Sequence, residues 1–118
     1  MGVTSIKTIL NRTQYPMEFR KRENVSDTIS LDPGEAQATE IWVPWCDNQS
    51  DFDQKAIEVK FINYDGALYI WQSKGKIRYS FDGWNDNGSA VFGTAHEDGD
   101  RAITIREDFR PEFALRTD

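Results

Sequence analysis

The sequence predicts an all-β fold, a single-domain antiparallel β-sandwich with immunoglobulin-like or jelly-roll-like packing, and three observations lead there. Apolar residues alternate with period two in several short segments, Gly, Pro and Asn turn signals separate those segments, and no stretch sustains a helical period. A small closed barrel is the second choice. At 118 residues the chain has the size of one domain and can bury a core without covalent staples. No internal repeat or linker divides it, so residues 1–118 are read as one unit.

The elements follow in order. Ile6, Thr8 and Leu10 alternate with Lys7 and Ile9, Asn11-Arg12-Thr13 breaks the pattern, and Tyr15, Met17 and Phe19 resume it, which predicts a hairpin. Pro16 lacks an N–H donor, so its strand should lie at an edge or enter the sheet there. Ile29 and Leu31 belong to a further strand, stopped by Asp32-Pro33-Gly34-Glu35, where Pro and Gly in the central positions favour a type II turn. A strand from about Gln37 to Val43 ends at Pro44. Ile103 and Ile105 centre a late strand, and Phe113 with Leu115 closes the sheet.

Between these, the run from Lys55 to Phe81 predicts a three-stranded meander. A two-residue turn at Asp65-Gly66 sets Phe61 opposite Ile70 and Asn63 opposite Leu68, and a second at Lys74-Gly75 sets Ile70 opposite Tyr79 and Gln72 opposite Ile77. One face then reads Ile57, Val59, Phe61, Leu68, Ile70, Ile77, Tyr79 and Phe81, a core face. The other carries Lys60, Ile62, Tyr69, Trp71, Arg78 and Ser80, with Trp71 between Lys60 and Arg78 and Tyr69 between Ile62 and Ser80. Two rings flanked by cations make either a cross-strand cation–π arrangement, the inner face of a covering second layer, or a flat platform on which a sugar ring or a partner's side chain stacks.

Composition narrows the function. A net charge of −6 argues against a nucleic-acid or anionic-lipid partner, for which a basic face is the usual footprint. No apolar run approaches the ~20 residues of a membrane-spanning helix, and the first residues lack a secretory pattern, so a cytoplasmic location is expected. Four glycosylation sequons, beginning at Asn11, Asn24, Asn48 and Asn87, read as coincidence in that setting. Cys46 alone cannot form an internal disulfide and reads as a small buried hydrophobe. With His96 the single histidine, neither a zinc set nor a nucleophile–base pair is specified.

The loops around Asp47 to Asp53 and Asp82 to Asp100 gather oxygen ligands, but neither fits the EF-hand spacing, and Asp and Asn are common turn formers. No metal or cofactor is therefore expected. The aromatic excess is more suggestive: Trp42, Trp45 and Trp84 stand at strand ends or in loops, Trp84 within Asp82-Gly83-Trp84-Asn85-Asp86-Asn87-Gly88.

The segment Ile9-Leu10-Asn11-Arg12-Thr13 with Tyr15-Pro16-Met17 resembles the first hairpin of small β-sandwich proteins of the aegerolysin and fungal-lectin types. The likeness covers a small part of the chain, and the cysteine- and glycine-rich centre of the aegerolysins has no counterpart. It implies a soluble lectin or a membrane-targeted sandwich, and no membership is assigned.

The function expected is a non-catalytic, lectin-like recognition module that binds a glycan, a small molecule or a protein through Trp71, Tyr69, Lys60, Arg78 and Trp84. One alternative is a small isomerase- or cyclase-type enzyme using carboxylates or Tyr79 in an internal cavity. Another is an oligomerisation domain, in which a second copy covers Tyr69 and Trp71 to make a homodimer.

Overall fold

In the computed structural model of the chain, residues 4–22, 24–81, 88–96 and 99–115 are described, the side chains of 24–27 excepted. Two sheets face each other as a sandwich, and no barrel closes. The first sheet runs β4 (Ala36–Trp42), β1 (Thr4–Asn11), β10 (Gly99–Ile105), β11 (Pro111–Leu115), β9 (Phe92–Gly93). The second runs β3 (Asn24–Leu31), β2 (Met17–Lys21), β5 (Ile57–Phe61), β6 (Ala67–Ser73), β7 (Lys76–Ser80), β8 (Ser89–Ala90). Pairing is antiparallel except where β1 meets β10 and β11 meets β9. No helix among the described residues is long and apolar enough to cross a membrane.

The predicted meander exists as β5, β6 and β7. Lys74 and Gly75, both with positive φ, make the tight turn that sets Ile70 opposite Tyr79 and Gln72 opposite Ile77, as the sequence indicates. The β5–β6 register differs. Its connection is Ile62 to Gly66 rather than a two-residue turn, Asn63 takes the left-handed conformation, and Ile57 pairs with Ile70 and Lys60 with Ala67. The slip is four residues, an even number, so every side chain keeps its predicted face. Ile57, Val59, Phe61, Leu68, Ile70, Ile77 and Tyr79 are all buried. Phe81 is the exception at 42% exposed, because β7 ends at Ser80 and the ring turns outward beyond the last pair.

Three other expectations are corrected. β1 and β2 are not a hairpin, since β1 belongs to the first sheet and β2 to the second. The residue that makes this corner is Asn11, fully buried: its Nδ2 donates to the carbonyls of Tyr15 (2.9 Å) and Leu31 (3.2 Å), and its Oδ1 accepts from the Thr13 amide (2.9 Å) and hydroxyl (2.7 Å). Its sequon is therefore used internally. Within β1 the pairing shifts between Ile6 and Thr8, and this bulge brings Ile6 and Ile9 to the core in place of the strict alternation Ile6, Thr8, Leu10.

The third correction is a short helix, α1 (Gln49–Lys55), in a segment read as loop. Asn48 caps it by accepting from the Asp51 amide at 2.9 Å, and Asp51 and Lys55 lie at the ends that the helix dipole favours. Only Phe52 among its residues is buried, so no apolar period betrays it.

Other local readings hold. Gly34 at φ +82 and the bond from the Glu35 amide to the Asp32 carbonyl (2.9 Å) give the type II turn, and β2 begins directly after Pro16. Gln72, fully buried, ties the sheets at a second corner: its Nε2 donates to the Val43 carbonyl (2.6 Å) and its Oε1 accepts from the Thr4 hydroxyl (3.1 Å). The main core between the sheets draws on Ile6, Ile9, Ile103, Ile105 and Phe113 from one side and Met17, Phe19 and the meander from the other.

Candidate functional site

The predicted platform is covered. Trp71 is 0% exposed and sits in a second, smaller core with Cys46, Phe52 and Ala56. The ring of Phe52, carried by α1, meets the indole edge-on at 5.3 Å. Tyr69 is half-buried beside it, 5.2 Å from Phe52, with the Arg22 guanidinium 4.7 Å from the Tyr69 centroid and 5.0 Å from that of Phe52. The chain's own helix does the covering that the homodimer alternative assigned to a second copy. Of the three possibilities for this face, the covering layer is the one formed.

The cations are placed elsewhere. The register slip takes Lys60 away from Trp71, to a position opposite Ala67 and exposed to solvent, while Ala56 packs against the indole. Arg78 does neighbour Trp71 across the strand pair, but its guanidinium donates to the carbonyls of Ser73 (3.0 Å) and Gly88 (2.8 Å) and so binds backbone. Trp84, with residues 82–87 and 97–98 of the Asp82 to Asp100 stretch read as loop, lies outside the described residues; the rest of that stretch is not all loop, since it carries β8, β9 and the start of β10. The other acidic loop, Asp47 to Asp53, forms the cap and first turns of α1, and no metal-holding group of His, Cys, Asp or Glu is present among the described residues.

Beneath this cover lies an ion-pair network. Arg20 donates twice to one oxygen of Glu58 (2.9 and 3.2 Å), and Arg22 stands 3.6 Å from the other and 3.7 Å from Asp53. Burial pushes the Glu58 carboxyl up, but the Arg20 bond and the charges of Lys60, Arg20 and Arg22 outweigh it and hold the group below its ordinary value. Glu58 therefore stays ionised. The network fixes β2 to β5 and positions Arg22 over the two rings, a structural arrangement.

Trp42 on β4 is the most exposed ring among the described residues, but the exposed rings Tyr64 and Phe81 lie together at one end of the sandwich. There the β5–β6 connection (62–66) meets the β10–β11 connection (106–110), the start of β6 and the residue after β7. Tyr64 and Phe109, one from each connection, stack at 4.6 Å and 16°. Tyr15 and Phe61 complete the cluster, Tyr15 lying 5.3 Å from Tyr64 and Phe61 packing edge-on to Phe109 at 4.9 Å. Gly66 gives the Tyr64 ring its seat, because a Cβ there would stand 3.1 Å from the ring's Cε1. Tyr64 nevertheless stays 44% exposed.

Backbone geometry marks the same place. Phe109 holds φ at 69°, a left-handed conformation that a bulky residue rarely adopts, in a turn closed by its own amide bonding to the Arg106 carbonyl at 2.9 Å. Such a conformation costs on the order of 1–3 kcal/mol and persists where its surroundings enforce it. Here the enforcing contacts are ring on ring. Glycine would serve the turn better, so the ring is what the position gains.

Beside the stack, a groove of about 290 Å³ is lined by Phe61, Tyr64, Asp65, Gly66, Phe81 and Arg110 among others. Its rim is charged and internally balanced. Asp108 is paired with Arg106 at 3.3 Å and Arg110 at 3.5 Å, and each arginine also lies over an exposed ring, Arg106 over Phe92 (4.4 Å) and Arg110 over Phe81 (5.9 Å). Asp65 has no partner among the described residues. A larger, more polar depression of about 590 Å³ adjoins it, between Arg12, Arg106, Glu107 and Glu112.

Sequence reasoning missed this site. It took Asp65 and Gly66 for turn residues and Phe81 for core, and it left the Glu107-Asp108-Phe109-Arg110 connection unread. An acid, a ring and a base in succession between two strands was the available signal. Comparison with protein-family models, with characterised proteins and with solved structures finds no match for this chain.

Proposed function

We propose that the protein is a non-catalytic recognition module that takes its ligand in the groove at this end of the sandwich. The observation that carries the reading is Phe109: a strained backbone holds a ring against Tyr64, and the two connections together keep part of Tyr64 and Phe81 in solvent beside a concavity. Apolar walls with a few fixed polar groups are what small-ligand sites require. Stacking a ligand on these rings removes apolar area from water at roughly 25 cal/mol per Å². The site rests on connections between strands, the part of a scaffold that most often carries binding residues. Titrating the isotope-labelled protein with a library of small fragments and short glycans tests the reading. Amide shifts should cluster at Tyr64, Gly66, Phe81 and Arg110. Shifts scattered over the surface, or gathered at another face, would remove the groove as the binding site.

A further inference from the structure

We infer that the ligand of this groove is an uncharged sugar unit; the inference rests on the recognition reading above and adds the chemical class. The argument begins with the charges. Counting Arg106 behind Asp108, the groove and its rim hold two carboxylates, Asp65 and Asp108, and two guanidiniums, Arg106 and Arg110, and three of these four already satisfy one another within 3.5 Å. The four charges sum to zero, so an anion drawn to Arg110 also meets two carboxylates, and a cation drawn to Asp65 also meets two guanidiniums. An ion of either sign therefore gains little. A neutral polyol faces no such competition. Its hydroxyls accept from Arg110 and donate to Asp65, whose carboxylate has no partner among the described residues, without parting any pair.

The rings select further among neutral ligands. A sugar ring presents a C–H face with hydroxyls at its edge, which matches an aromatic wall with donors and acceptors at the rim. Tyr64 and Phe81 supply the walls, with Arg110 lying over Phe81 where wall and rim meet. The volume, about 290 Å³, is at the low end for small-molecule sites and suits a terminal sugar unit rather than the flank of a long polymer. Gly66 leaves room for the Tyr64 ring, and the Phe109 stack with the Tyr15 contact holds it, so the wall is in place before a ligand arrives.

The test compares three probe sets on the full chain: an array of neutral and acidic glycans, the same neutral sugars as free methyl glycosides titrated by NMR, and tetramethylammonium chloride as a cationic comparator. The expected result is binding of a neutral glycan, with shifts at Gly66, Phe81 and Arg110. Tyr64→Ala should weaken it at least about tenfold while the domain stays folded by circular dichroism, and Tyr64→Phe should largely retain it. Should acidic glycans or tetramethylammonium occupy the groove while neutral sugars do not, the sugar inference falls and the recognition reading stands. Neutral sugars that bind away from the groove, or no binding by any of the three sets, also overturn the inference. The fragment titration then decides separately whether the groove binds anything at all.

Discussion

Two clusters of aromatic rings, one on the outer face of the second sheet and one where connections of both sheets meet, are built to opposite ends. Under α1, Phe52, Trp71 and Tyr69 pack edge-on or tilted, and Arg22 closes over them while an ion-paired Glu58 holds it in position. At the end of the sandwich, Tyr64, Phe109 and Phe81 leave ring surface in water, and the arginines beside them lie over Phe81 and Phe92. None of the first cluster's rings sits on a left-handed backbone; the second cluster keeps one of its rings, Phe109, in a conformation its residue type resists. Rings with cations beside them in a sequence therefore do not say which ring faces are open; packing and the backbone beneath them do.

The comparison is broken most directly at Trp71. Replacing it by alanine should destabilise the domain by about 3–5 kcal/mol, the usual cost of truncating a buried tryptophan, as measured by urea unfolding. A loss under about 1 kcal/mol would mean the indole is not enclosed. The Arg20–Glu58–Arg22 network gives the next effect. Glu58 loses its proton more readily folded than unfolded, so its contribution is complete above the ordinary value of 4.5 and disappears as pH falls through the lowered folded value. Glu58→Gln should cost about 1–3 kcal/mol at neutral pH, and its stability curve should be flatter than wild type below pH 4.5. Parallel curves would show that Glu58 carries no linkage.

Smaller effects sharpen the other side. Tyr64→Ala should lower stability by less than about 2 kcal/mol, since a half-exposed ring gives up only part of its burial, while groove binding weakens at least tenfold. At Phe109 the sign of a difference is the test. Glycine relieves the left-handed backbone and alanine does not, so Phe109→Gly should be the more stable of the two by about 1 kcal/mol. The reverse order would show that the strain resides elsewhere.

Much of the fold was legible because period-two alternation and turn chemistry are local. Lys74-Gly75 and Pro33-Gly34 each determine a turn within a few residues, and the meander's faces survived a register error since the error was even. What could not be read depends on distant partners. The bulge after Ile6 shows only once β4 and β10 flank β1, and the corner at Asn11 needs the Leu31 carbonyl, twenty residues away. The site suffered more. Alternation distinguishes two faces of a strand but cannot say which is roofed, and α1, with one buried residue, left too little pattern to announce a roof. The groove comes from two connections far apart in sequence, and rings that meet through tertiary structure have no spacing to read.

The parallel pairing of β1 with β10 has a consequence for how the chain comes together. Ile9 lies beside Ile103, so closing this contact encloses most of the polypeptide, at an entropic cost on the order of 4 kcal/mol before any gain. The β5–β6–β7 meander needs no such closure and is the natural place to start. Pulsed hydrogen exchange during refolding should find its amides shielded before those of β1. During synthesis the asymmetry is sharper still: β1 leaves the ribosome first, with Ile6 and Ile9 on its apolar side, and waits for nearly the whole chain before its central partner exists. Until then β4 is the one neighbour among the described strands that it can have in its sheet.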